Sequence, residues 1–442
     1  MDTSSLYEIF LQNPNVCIDS REAAEKSIFF ALKGENTDGN IYAEKALEKC
    51  AYAVVDNPDY AKDDKRYILV DDALSTLQKL ATYHRKRLGL PILAITGTNG
   101  KTTTKELVAR VLSKKYNVFY TQGNFNNHIG VPLTLLSMNK THEFGVVEMG
   151  ANHLGEIAKL CKIATPDFGI ITNVGRAHLE GFGSFNNIKV AKAELYRYLH
   201  DNDGMAFVNY DNEILEDMEP PHNIVYYGTK NFTHCQGKVI DSSMFLSFQW
   251  SPSDESIVEE DPSYNVQNCT INTQIIGEYN FENALAAVCV GYKFRISPVD
   301  IKAAIESYVP QNNRSQLLKT AKNNSVLVDN YNANPSSMEA AIDNFAKIKL
   351  ENKVLILGDM LELGEASARE HGVVIGQIAR LGFTQVFLVG KNFGKVPDTK
   401  DFTLFDNIDE CVEYFAKNAV IDSSILVKGS HGMSMSKVVS VL

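Results

Sequence analysis

The sequence predicts an α/β protein of three domains built on mostly parallel sheets, for three reasons. Its 442 residues exceed what one hydrophobic core serves at about 150 residues per domain. From residue 90 onward, short apolar runs alternate with segments of helical periodicity: PILAIT, FGVVEM and FGIITNV, then SVLVDNY, KVLILGD, QVFLVG and SILVKGS. Continuous apolar runs are what strands buried on both faces of a parallel sheet require, and the helical segments supply the crossovers. The composition, 44% hydrophobic and 22% charged, is that of folded domains and excludes a disordered or fibrous chain.

Residues 1–88 carry a separate pattern that closes with the helix-like ALSTLQKLATYHRKRLG before Pro91. Residues 89–312 hold the first series of apolar runs. Within them, 222–276 reads as short strands (NIVYYG, MFLSFQW, NCTINTQII) broken by the acidic SPSDESIVEEDPSY, a β-rich part of the central domain. Residues 313–442 hold the second α/β series. Lys plus Arg is 43 against 54 for Asp plus Glu, a net charge of −11 with no basic block, which excludes a general nucleic-acid binder. The start, MDTSSLYEIFLQNPN, has no basic segment followed by an apolar one, and nowhere do 18 apolar residues run together. A cytoplasmic protein without membrane insertion is expected. The seven cysteines are scattered with no C-x-x-C pair, so buried thiols are expected rather than disulfides or zinc.

The segment ILAITGTNGKTTTKELVARVL is an apolar strand, a loop and a helix. Gly97 and Gly100, in a loop with Thr98 and Asn99, let backbone N–H groups come close to phosphate oxygens, and the helix N-terminus adds positive potential. Lys101 reaches terminal phosphates, and Thr102, followed by Thr103, offers a hydroxyl to Mg²⁺. The spacing G-x-x-G-K-T is shorter than the general phosphate-loop pattern, so the chemistry of the parts carries the inference of ATP or GTP binding. Glu148 ends the run FGVVEM and His178 follows FGIITNV, both at carboxyl ends of strands, where open α/β sheets bind ligands. Alone, Glu148 also reads as a solvated strand-end carboxylate and His178 as a structural histidine.

Taken together these residues resemble the ATP-dependent Mur ligase superfamily, whose central domain carries GTNGKT, an E-M-G strand end and an N-V-x-x-A-H-L-E segment. More narrowly, QGNFNNHIGVPLTLL (122–136), EMGANHLGEI (148–157), NVGRAHLEGFGS (173–184), AKAEL (191–195), DNYNANPSSM (329–338) and LGDMLELGE (357–365) are similar to the branch that joins a dipeptide to a UDP-linked muramoyl peptide. The likeness spans nearly the whole chain. It implies a small N-terminal α/β domain that binds the UDP-sugar, a central ATP-binding domain on a phosphate-loop-type sheet, and a C-terminal Rossmann-like α/β domain that binds the dipeptide. The implied reaction adds D-alanyl-D-alanine to UDP-N-acetylmuramoyl-tripeptide through an acyl phosphate.

The resemblance also implies roles. Lys101 and its loop hold the β- and γ-phosphates, Thr102 and Glu148 one Mg²⁺, and His178 a second Mg²⁺. Lys192, in A-K-A-E, is carbamylated by CO₂ in the family and so becomes an anion able to ligate that second ion. By itself it reads as a solvated helix lysine. Asn280 and Asn283, in GEYNFENALAA, fall near the adenine, although Asn280 also reads as the N-cap of the helix that follows, and Tyr279 replaces the usual His. Arg314 stands at a nucleotide-phosphate contact with Asn313 in place of Gly, and Asp329 reaches the nucleotide.

Substrate contacts are implied for Ser20 and Arg21 of the D-S-R segment, for Asn124, Asn126 and Asn127, for Tyr331, Asn332 and Asn334, and for Lys428 and Ser430. The C-terminal segment departs from the family at His431, Ser434 and Ser436, and Cys50 stands where Gly-Ala is usual. Sister ligases remain alternatives: the tripeptide-forming type, although D-x-P-R is missing, or a folylpolyglutamate-synthase relative, which leaves the D-S-R domain unexplained. A binding module that has lost catalysis is a further alternative, against which Glu148, His178 and Lys192 are all retained. Three domains around one cleft need no partner chain, so a monomer that closes on its ligands is expected.

Overall fold

The protein, as a computed structural model, is described for residues 1–442 apart from 36, 254–263, 265, 312 and 398. Most of the acidic segment within 251–264 lies outside the described residues. Three sheets follow one another along the chain. The first has four parallel strands in chain order, Asn15–Cys17, Ser27–Phe30, Tyr52–Val55 and Tyr67–Leu69. The helix Ala73–Leu88 follows it, begun by the Asp72 side chain on the Ser75 N–H and ended by Gly89 at φ 67°. Its apolar face, Leu77, Leu80 and Ala81, lies in one core with Ile28 and Val54 of the first sheet and Ile92, Val131 and Ile171 of the central domain. The first sheet is thus fastened to the second by continuous apolar packing.

The central sheet has nine strands, ordered Cys269–Ile276, Phe245–Pro252, Cys235–Asp241, Asn223–Gly228, Met205–Asn209, Phe168–Ile171, Ile92–Thr96, Phe144–Glu148 and Val118–Tyr120. Its strands share one direction except Phe245–Pro252, which pairs antiparallel with both Cys235–Asp241 and the edge strand Cys269–Ile276. The helices Lys101–Leu112 and Phe281–Lys293 cover one face, and their Leu107, Val108, Leu285 and Val288 share one apolar core with Ile95, Val146, Phe248 and Trp250 of the sheet. The placement of Ile92–Thr96 between Phe144–Glu148 and Phe168–Ile171 decides the site, because three neighbouring carboxyl ends open on one crevice.

The third sheet is ordered Gln316–Lys319, Ser325–Val328, Ser424–Lys428, Lys353–Gly358, Gln385–Val389 and Thr403–Phe405, parallel except for the first edge strand. Separate apolar cores fill its two faces, as a doubly covered parallel sheet requires. The fold is therefore the expected α/β arrangement with mostly parallel sheets, and each of the seven apolar runs named from the sequence is a strand. Among the described residues no helix is long and apolar enough to cross a membrane. None of the seven cysteines, all of them among the described residues, is in a disulfide.

Candidate active site

The loop after Ile92–Thr96 is shaped by two glycines that nothing else replaces. A Cβ on Gly97, at φ 142°, would lie 2.0 Å from Thr172 Oγ1, and one on Gly100, at φ 79°, 2.5 Å from Asn283 Oδ1. The neighbouring strand end braces the loop: Asn99 N donates to Asn173 Oδ1 at 3.0 Å, and Thr172 Oγ1 donates to Asn99 O at 2.6 Å. The helix Lys101–Leu112 starts with no side-chain cap, so its first N–H groups face the crevice unsatisfied. The Lys101 ammonium folds onto Gly97 O (2.8 Å) and Thr98 O (2.9 Å). Burial pulls its pKa down to about 8 against the pull of Glu148. A phosphate in the cradle offers that ammonium a better partner than two carbonyls.

Glu148, 2% exposed, is held at both oxygens. Thr102 Oγ1 donates to its Oε2 at 2.9 Å and Asn126 Nδ2 to its Oε1 at 2.8 Å. Behind it stands Lys105, 1% exposed, with Nζ 4.0 Å from Glu148 Oε2 and donating to Thr121 O at 2.6 Å. That buried cation offsets a carboxylate that would otherwise be costly to hold out of water.

His178 sits at φ 49° before the one-turn helix Leu179–Phe182, and its Nδ1 meets the carboxylate of Glu362 from the third domain. Burial lowers the imidazole's pKa, with Glu362 opposing. Lys192, on the helix Phe185–Asp201, is 3% exposed and has neither a hydrogen bond nor an ion pair among the described residues. Its Nζ lies 5.7 Å from the Phe182 ring. Burial, then repulsion from Lys101, brings its pKa to about 7, with Glu156 and Glu194 opposing, so much of it is a free amine at neutral pH.

The third domain closes the opposite side. Asn334 caps the helix Pro335–Lys347 with its carbonyl oxygen, and its Nδ2 donates to Asn99 Oδ1 of the phosphate loop at 2.8 Å. Arg176 donates its backbone N–H to Ser336 Oγ at 2.9 Å, and its guanidinium reaches Glu339 (2.8 Å) and Glu370 (3.1 Å). Arg314 stacks 3.7 Å over the Tyr331 ring and leaves a buried Nε without a hydrogen-bond partner among the described residues. Asn313 has φ 59°, which accounts for a residue tolerant of the left-handed region at a position where the family has Gly. Asp329 accepts from Ser315 N at 3.1 Å and pairs with the buried Lys428 at 2.6 Å.

Together these groups enclose a cavity of about 1010 Å³. The phosphate loop, Asn126, Asn127, Glu148, His178, Lys192, Asn280, Asn283, Arg314, Asp329, Tyr331, Asn332, Asn334 and Lys428 all face it. Asn280 does stand at the start of its helix, yet its Nδ2 donates back to Ile276 O at 2.9 Å and its side chain caps no N–H. Asn283 is fixed by Thr104 Oγ1 (3.1 Å) and Asn280 Oδ1 (2.9 Å). Asn127 spends its Oδ1 on the N–H groups of Ile129 and Gly130, and Asn332 its Oδ1 on Ala333 N.

Ser20, Arg21, Asn124 and Ser430 are not in the cavity wall. Arg21 pairs with Asp19 in solvent, Asn124 is exposed, and buried Ser430 braces Leu361 N (2.9 Å) and Ala333 O (3.2 Å). His431, one of the departures, lies 5.8 Å ring to ring from Tyr331. Sequence reasoning missed Lys105, Arg176, Ser336 and Glu362. Arg176, Ser336 and Glu362 stand inside motifs already singled out, but their partners lie across the domain boundary.

The donor set suits Mg²⁺. Among the described residues no three His, Cys, Asp or Glu side chains form a ready-made cage. A hydroxyl and one carboxylate beside a phosphate cradle are how Mg²⁺ is commonly held, with phosphates and water supplying the rest.

A phosphate loop, a strand-end glutamate, a histidine and a buried lysine closed over by a second α/β domain define an ATP-dependent ligase, and residues 95–291 match the Mur ligase middle domain while 313–431 match the Mur ligase, glutamate ligase domain. The chain belongs to the Mur ligase family. Within it, the UDP-N-acetylmuramoyl-tripeptide–D-alanyl-D-alanine ligase of Bacillus subtilis is 34% identical, with 97% of this chain and 92% of that one aligned. The crystal structure of MurF from Acinetobacter baumannii superposes with TM-score 0.85 at 28% identity, covering 96% of this chain and 92% of that one. MurF from Thermotoga maritima, solved in complex with ADP, superposes with TM-score 0.83 at 25% identity, covering 98% and 97%.

Proposed function

We infer that this protein is the ATP-dependent ligase that adds D-alanyl-D-alanine to UDP-N-acetylmuramoyl-tripeptide, forming the pentapeptide precursor of peptidoglycan. The observation that carries the reading is the single cavity in which the phosphate loop, Glu148, His178 and Lys192 face Arg314 and Asn334 of the third domain.

A carboxylate is a poor electrophile, so the terminal carboxylate of the tripeptide first attacks the γ-phosphorus of ATP and ADP departs. The amine of D-alanyl-D-alanine then attacks the acyl phosphate carbon, loses a proton, and expels inorganic phosphate from the tetrahedral intermediate. The loop N–H groups and Lys101 hold the β- and γ-phosphates, Arg314 adds positive charge from the third domain, and Asn280 and Asn283 lie towards the adenine. Mg²⁺ would be held by Thr102 and Glu148, and a second ion by His178 and carbamylated Lys192, offsetting the charge on the transferring phosphoryl group. Lys192 suits carbamylation because it is buried with no counter-charge bound to it.

Residues 1–88 bind the UDP-sugar, with Ser20 and Arg21 as contacts. Residues 89–312 bind ATP, and Asn124, Asn126 and Asn127 guide the tripeptide. Residues 313–442 bind the dipeptide, with Tyr331, Asn332, Asn334, Lys428 and Ser430 near it. We take the working form to be a cytoplasmic monomer. Phosphate release by the purified protein with Mg-ATP and UDP-N-acetylmuramoyl-tripeptide is expected to depend on D-alanyl-D-alanine. Turnover with a single amino acid in its place would transfer the chain to a sister ligase, and silence in every combination would leave a non-catalytic binder.

A further inference from the structure

We propose that Glu362 is a positioning residue for His178: from the third domain it fixes the imidazole so that the other ring nitrogen faces the cavity. The inference rests on the ligase reading and adds to it a physical link between domain seating and completion of the cation site.

The geometry on both sides of the contact is unusual. His178 has φ 49° and Glu362 φ 60°, the left-handed region that residues with a Cβ adopt only when their surroundings hold them there. Two such residues meet across the domain boundary, imidazole Nδ1 against carboxylate. The backbone repeats the contact, Glu180 N donating to Glu362 O at 3.2 Å. Gly364, at φ 52°, lies where a Cβ would come within 3.5 Å of the Glu180 side chain, so the loop fits closely against the segment that bears His178. On its own side the loop is held by Leu361 N on Ser430 Oγ (2.9 Å) and Met360 N on His371 Nε2 (3.1 Å). The carboxylate is therefore presented by a braced loop.

The chemistry follows from the inventory of a neutral imidazole, which carries one N–H. A carboxylate at Nδ1 takes that proton in hydrogen bonding and leaves the Nε2 lone pair free. Histidines that bind metals are commonly oriented in this way by a carboxylate on the far nitrogen. Here the carboxylate comes from another domain. His178 lines the cavity and Glu362 does not, so Glu362 acts through the ring and not on substrate. When the third domain moves away, the ring loses the contact that selects its tautomer.

The test uses E362A and E362Q in the full-length protein. Nitrogen-15 spectra of histidine-labelled protein, with the His178 signals identified by their loss in H178Q, read the tautomer directly. Mn²⁺ titration in the presence of ADP, followed by electron paramagnetic resonance, reads cation binding. E362A is expected to convert His178 to a mixture of tautomers and to weaken one Mn²⁺ site about 10- to 100-fold. E362Q, whose amide oxygen still accepts from Nδ1–H, is expected to keep the tautomer with a smaller loss. The Glu362 side chain is 56% exposed, so neither variant threatens a core. A tautomer and a Mn²⁺ affinity unchanged in E362A would overturn the proposal. Neither readout needs turnover, so a wild-type protein inactive with the dipeptide would sink the ligase reading alone.

Discussion

Arg176→Ala removes an ion-pair contact that ties the phosphate-loop domain to the third domain. Its guanidinium bonds Glu339 at 2.8 Å, where both side chains are about one-third exposed, and lies 3.1 Å from Glu370, which is fully buried. The first pair is worth about 0.5 kcal/mol in its half-solvated setting. The second matters more, since removing one partner of a buried pair costs about 3–5 kcal/mol. Glu370 keeps Arg369 at 2.6 Å, so its charge stays paired and the cost falls below that range, to about 2 kcal/mol, as for the loss of one charged hydrogen bond. The sum is about 2–3 kcal/mol against the closed arrangement, because opening lets water reach Glu370. That lowers the closed-to-open ratio about 30- to 150-fold. Small-angle scattering of the ligand-free variant should show a larger radius of gyration than wild type. The value of kcat should fall, with partial recovery in Arg176→Lys, while Glu339→Gln should change little. Scattering identical to wild type together with kcat within about twofold would refute the reasoning.

Three further outcomes follow from single residues. Lys192, with its pKa lowered to about 7, disfavours the folded state when protonated, and that penalty is relieved as pH rises through about 7 towards the ordinary lysine value. In CO₂-free buffer the difference in Tm between Lys192→Met and wild type should therefore shrink from pH 6 to pH 9, and a constant difference would contradict the burial argument. Gly100→Ala places a Cβ 2.5 Å from Asn283 Oδ1 at φ 79°, so about 1–3 kcal/mol of stability and most ADP affinity should be lost, read by thermal melting and calorimetric titration. At Asn313, φ 59°, glycine should be tolerated and valine should cost about 1–2 kcal/mol in chemical denaturation.

Much of this was legible in the sequence because it is local. Strand, glycines, Lys101 and Thr102 are contiguous, and an apolar run buried on both faces announces itself whether or not its neighbours are known. The strand Cys235–Asp241 was not legible. It reads CQGKVID, with Gly237 and Lys238 interrupting the run, and Gly237 is needed there because Leu285 would lie 2.8 Å from any Cβ. The partly buried strand Val118–Tyr120 is apolar throughout, but at three residues it is too short to announce itself. At the site, Glu148 and His178 are marked by their strand ends, whereas nothing in the helix sequence distinguishes Lys105, whose role comes from Thr121 and Glu148 beside it. Asn334 illustrates the general case. Its capping of a helix is written in N-P-S-S, whereas its bond to Asn99, 235 residues away, comes from the packing of one domain on another.

The most direct test of the account labels the terminal carboxylate of UDP-N-acetylmuramoyl-tripeptide with oxygen-18 and follows one turnover with Mg-ATP and D-alanyl-D-alanine by mass spectrometry. Activation through an acyl phosphate carries one labelled oxygen into the released inorganic phosphate, and the account predicts phosphate with one oxygen-18 alongside a pentapeptide product. Unlabelled phosphate accompanying that product would contradict it, because the carboxylate would then never have been the acceptor of the phosphoryl group.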